Sequence, residues 1–64
     1  MRRFTLYGLD EGQRLLAAEH IDADDVPSAR LIAAERLAAF PRVELWEASV
    51  CIARRSRQQP QSGG

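Results

Sequence analysis

Residues 14–46 read RLLAAEHIDADDVPSARLIAAERLAAFPRVELW, and this stretch decides the fold. An apolar run around Leu15-Leu16-Ala17-Ala18 gives way to the acidic turn Asp22-Ala23-Asp24-Asp25, then to an alanine-rich segment, then to a second apolar run. A carboxylate at Asp24 or Asp25 can accept from the free N–H groups of a first helical turn and oppose the positive end of the helix dipole. Pro27 is tolerated there because first-turn N–H groups have no partner inside the helix. Val26, Ala29, Ala33, Leu37 and Phe40 then fall on one helical stripe, with Ile32 and Arg36 on its border and Leu31 on the opposite side with Glu35. Pro41 disfavours helical backbone at the residue before it. The spacing predicts a helix over residues 25–40 and, from the alternation in Val43-Glu44-Leu45-Trp46-Glu47, a strand over 42–47.

The flanks have room for one further strand on either side of this unit. Phe4, Leu6 and Gly8 alternate with Thr5, Tyr7 and Leu9, the two-residue period of a strand over 3–9. Asp10-Glu11-Gly12 supplies a turn, with Gly12 expected to take the positive φ that closes a short hairpin. The second strand is expected over 13–21, although its Leu-Leu-Ala-Ala core is also compatible with a helix. Val50-Cys51-Ile52-Ala53-Arg54 predicts a fourth strand over 50–55. Ala48 suits a tight primed turn poorly, so a looser loop is expected before it.

The order is ββαββ, an α+β fold. A helix of about 15 residues is about 22 Å long and returns the chain to where the second strand began. The third strand is then antiparallel to the first, predicting a four-stranded antiparallel sheet of order 2-1-3-4 with one helix on one face. Residues 1–55 form the expected single domain. Residues 56–64, with Gln, Pro, Ser and Gly and no large apolar side chain, are expected to be a disordered tail.

A domain of 64 residues buries only about 60% of the surface of its unfolded chain. Cys51 is the only cysteine and His20 the only histidine, so neither a disulfide nor a four-ligand zinc site can add stability. Self-association is the remaining route to more burial. The formal net charge is zero, without the basic excess that marks many nucleic-acid binders. All nine basic residues are Arg, which reads as the codon bias of a GC-rich, bacterial genome. Met1 to Gly8 has no apolar run of signal-peptide or membrane-span length, so the cytoplasm is the expected location and no membrane partner is expected.

One helix can cover one sheet face, for which Phe4, Leu6, Val43, Leu45 and Ile52 are the natural lining. The other face is then expected to carry Tyr7, Leu16, Ala18, His20, Trp46, Cys51 and Ala53, a set apolar enough to mark an interaction surface. Tyr7, Leu16, His20, Trp46 and Cys51 are its candidate contact residues. The leading expectation is a non-catalytic protein–protein interaction module that self-associates through this face or a sheet edge. The rival is a small nucleic-acid binder, with Arg2, Arg3, Arg54, Arg55 and Arg57 on phosphates and Tyr7 or Trp46 stacking on bases.

Enzymatic and metal chemistry rank below both. A Cys51–His20 nucleophile pair lacks a Gly-rich oxyanion turn, so no catalytic residue and no cofactor is expected. Glu19, Asp22, Asp24 and Asp25 fail the calcium-loop pattern because Val26-Pro27 follows where further oxygen donors are needed. Helix capping accounts for them, and no metal is expected. Arg30 and Arg36 are read as solubilising the helix, and Glu35 is assigned no role.

At His20-Ile21-Asp22-Ala23-Asp24-Asp25, the Ala-rich helix, Val43-Glu44-Leu45-Trp46-Glu47 and Val50-Cys51-Ile52-Ala53-Arg54, the chain resembles a group of very short uncharacterised bacterial proteins, chiefly alphaproteobacterial. These share an Asp-rich turn, an Ala-rich helix and a Val-Glu-aliphatic-Trp strand. Many have Asp-Gly after the Trp, where this chain has Glu47-Ala48. The resemblance covers residues 4–55 and implies the same fold and a bacterial origin, with no activity attached.

Overall fold

The computed structural model describes residues 1–57. Four strands, β1 (Arg2–Leu9), β2 (Leu15–Ala23), β3 (Arg42–Glu47) and β4 (Val50–Ser56), surround α1 (Val26–Glu35) and a short 3-10 turn (Arg36–Ala38) in chain order. The sheet order is β2-β1-β3-β4, with every neighbouring pair antiparallel. This is the ββαββ arrangement that the two changes of periodicity predict.

Register sorts the side chains into two faces. Ile21 lies opposite Phe4, Leu6 opposite Leu45, and Gly8 opposite Val43, and these rows face α1. Phe4, Leu6, Ile21, Ala23, Ala29, Ala33, Val43 and Leu45 form the buried core, against which Val26, Ile32, Leu37, Phe40, Ile52 and Ala53 pack in part. Ala29 and Ala33 are small enough to bring α1 close to the sheet. Leu31 stays exposed on the outer side of the helix.

The departures from expectation lie at element ends. β2 runs two residues further, through Asp22 and Ala23, because Arg2 and Arg3 pair with Ala23 and Asp22. Asp25 alone then caps α1, its Oδ1 accepting from Ser28 N at 2.9 Å. The α-helix ends at Glu35, not Phe40. A 3-10 turn completes the segment, with Ala39 N and Phe40 N both donating to Arg36 O. Pro41 excludes helical backbone at Phe40, so the last turn tightens and releases that residue toward the sheet.

Both hairpins also close differently. Among the described residues no glycine has positive φ; Gln13 takes it instead, at 67°. Asp10 Oδ1 accepts from Gly12 N and Arg14 N, an Asx-type bridge that holds the loop so Gly12 need not supply the turn's handedness. The β3–β4 connection is a two-residue turn, Ala48-Ser49, not a looser loop, with Ala48 at φ 53°. Ser56 belongs to β4, and Arg57 N donates to Pro41 O at 2.7 Å, so ordered chain continues two residues past the expected boundary. The rest of the expected tail, residues 58–64, lies outside the described residues.

Candidate functional site

Four cross-strand rows make up the face away from α1. Asp22 and Arg3 form the first; His20, Thr5, Trp46 and Cys51 the second; Ala18, Tyr7, Glu44 and Arg54 the third; and Leu15, Leu9, Arg42 and Ser56 the fourth. A bulge doubles Leu15 and Leu16 against Leu9, keeping Leu16 beside this face. A second bulge at Ile52 shifts the phase of β4. Ala53 therefore lies opposite Leu45 and packs against the core, a correction to its expected place on the open face.

The structure brings Tyr7 and Trp46 together as diagonal neighbours, ring centroids 6.3 Å apart and nearly perpendicular at 86°. That edge-to-face geometry suits the ring quadrupoles and holds both side chains half-buried. Trp46 Nε1 donates to Glu44 Oε1 at 2.9 Å, and the other Glu44 oxygen lies 3.6 Å from Arg54 Nε. The centre of the face is thus an aromatic pair inside a polar frame. The exposed large apolar side chains of this face, Leu15 and Leu16, sit instead at its β2 corner, 59% and 54% exposed.

His20 and Cys51 share a row but occupy opposite edge strands. Three strand spacings put them roughly 14 Å apart, too far for proton transfer between them. Cys51 Sγ is 3.7 Å from Ala53 O and half-buried. No group of three metal-ligating side chains comes together among the described residues. No helix among them is long and apolar enough to cross a membrane.

The five arginines grouped as phosphate contacts are split between the two ends of the sheet. Arg2 forms a two-pronged pair with Glu47, at 2.8 and 2.6 Å, and lies over the Phe4 ring, while Arg3 meets Asp22 at 3.2 Å. The hydrogen bond to Arg2 holds the Glu47 carboxyl below its ordinary range. Arg57 Nε donates to Leu37 O at 2.8 Å, placing a cation at the carboxyl end of the helical segment, where the dipole favours it. Arg54 and Arg55 lie instead near the β1–β2 turn with Arg42, a residue the sequence reading did not single out. These three line a groove of about 410 Å³ with Leu9, Gln13 and Glu44.

Arg36, expected only to solubilise the helix, has a specific partner. Its Nε donates to Glu19 Oε2 at 2.9 Å, joining the 3-10 turn to β2. This bond lowers the Glu19 carboxyl and raises the Arg36 guanidinium from their ordinary values. The pairing was hidden because Glu19 reaches the helix side only once the register sets Glu19 opposite Leu6.

No family model matches the chain, and no curated protein or solved structure is a match either. Any function therefore rests on the residues themselves.

Proposed function

We propose that the protein is a non-catalytic interaction module that self-associates, through the free edge of β2 and the Leu15–Leu16 corner beside it. The observation that carries this reading is the difference between the sheet's two edges. Beyond its bulge, β2 presents Ala17–Ala23 without a proline, lysine or arginine, next to two leucines more than half exposed. Natural edge strands are usually blunted by Pro, Lys, charge or bulges. β4 has such protection: Arg54, Arg55 and a bulge within the strand.

The acidic residues of β2 do not oppose a second copy as bare charges. Glu19 is paired with Arg36 and Asp22 with Arg3 of the same chain. Antiparallel pairing of β2 with its symmetry mate would extend the sheet to twice its strands in a closed twofold dimer. It would also bury the leucine corner, adding the apolar surface that a core of eight small-domain side chains lacks.

Sedimentation equilibrium over a micromolar concentration series tests the reading. Wild type is expected to pass from monomer to dimer, and Leu16→Glu to stay monomeric while keeping its circular dichroism. A folded wild-type protein that remains monomeric throughout would refute self-association.

A further inference from the structure

Among the described residues, one buried side-chain polar atom has no hydrogen-bond partner: Nε of Arg42. A guanidinium N–H without an acceptor is a free donor, and a shift of the half-buried Arg42 side chain toward an oxygen ligand would satisfy it. Arg42 borders two hollows, the groove of about 410 Å³ and a second of about 260 Å³ reaching Glu11 and Pro41. Arg42 and Arg54 line the larger one from one face against a single carboxylate, Glu44, and Arg55, in register with Val43, borders it at the β4 edge. The chain is neutral overall, so this is a local concentration of positive charge.

These arginines are held less firmly than the three that pair closely with carboxylates. Arg2, Arg3 and Arg36 each have a carboxylate oxygen within 3.2 Å. Arg54 has only Glu44, at 3.6 Å, and Arg42 and Arg55 have no ion-pair partner among the described residues. Arg42 and Arg54 come from adjacent strands and one face, two residues apart in the cross-strand ladder. That spacing lets two planar guanidinium groups approach one ligand group, a geometry suited to multiple charge-assisted bonds.

We propose that this groove is an oxyanion site, taking the phosphoryl or carboxylate group of a small organic ligand between Arg42 and Arg54. Its volume lies in the span of small-molecule sites, so the anionic group is one end of the ligand and Gln13 and Leu9 are placed to meet the rest. The site lies over β3 and β4, across the sheet from the β2 edge, and does not depend on self-association. It has a built-in reporter. A ligand that engages Arg54 disturbs the Arg54–Glu44–Trp46 chain of contacts and with it the surroundings of the indole.

Trp46 emission and the thermal midpoint of the full chain are followed as sodium phosphate, glycerol phosphate or citrate is added, with sodium chloride at matched ionic strength as reference. A saturable change in a phosphate or citrate arm, absent with chloride, is expected, and the stronger arm identifies the anionic group. Arg42→Gln and Arg54→Gln are each expected to weaken binding by about tenfold or more, the worth of one charge-assisted hydrogen bond. Arg30→Gln, on the helix, is expected to bind as wild type. Should Arg42→Gln fail to fold, the exposed Arg54 variant decides alone. The site is overturned if no arm departs from chloride, or if the groove variant that folds binds like wild type.

Discussion

The ring of Phe40 rests on the backbone of Gly8, so closely that a β-carbon at residue 8 would lie 2.6 Å from the ring atoms Cγ and Cδ2. Gly8 has no positive φ; its lack of a side chain is what the fold uses. The missing β-carbon makes a seat on β1 for the first residue released by the tightened helix end. A strand interior tolerates glycine where another group must come this near.

Gly8→Ala should therefore destabilise the domain by about 1–3 kcal/mol, the usual cost of overpacking. In a Phe40→Leu background the same change should cost less, with a coupling of at least ~0.5 kcal/mol. Urea denaturation of the two single variants and the double variant checks this. Additive losses would mean that the ring does not occupy the space above Gly8.

Ala48 opens the β3–β4 turn at φ 53°, a region that costs an L-residue with a β-carbon roughly 1 kcal/mol. Ala48→Gly should relieve that strain and stabilise the domain by a few tenths to about 1 kcal/mol, less the extra entropy glycine brings to the unfolded chain. The thermal midpoint should rise.

Acid should weaken the fold in a definite direction. Glu19, Asp25 and Glu47 are all held below their ordinary range, chiefly by hydrogen bonds from Arg36, Ser28 N–H and Arg2 respectively. Lowered folded values mean that the unfolded chain binds protons more readily. Their stabilisation is therefore full above the unfolded range near pH 4 and drains away as pH falls through the lowered values. Asp25 is exposed and Glu19 and Glu47 are half-buried but open to solvent, so salt should mute the effect of the two ion pairs in part. A stability–pH curve of Glu19→Gln should show a shallower acid limb than wild type.

Much of this architecture is legible in the residues. The alternation of Phe4 and Leu6, the Ala29–Ala33 stripe and the Val43–Leu45 pair each report local backbone period, and each ends in the core. What could not be read depends on register. The bulge at Ile52 reverses Ala53, and the pairing of Arg2 with Ala23 lengthens β2 past its acidic residues. Arg36 gains Glu19, and Arg42 joins Arg54, through partners distant in sequence. The Tyr7–Trp46 contact follows from alternation, whereas the polar frame around Trp46 follows from its neighbours on β3 and β4.

Amide exchange at the two sheet edges, read as a function of protein concentration, tests the proposed β2 pairing most directly. Outward-pointing amides in Ala17–Ala23 are expected to gain protection as concentration rises, while the outward amides of β4 keep exchanging at one rate. Rapid exchange along β2 at every concentration, or equal protection at both edges, would contradict it.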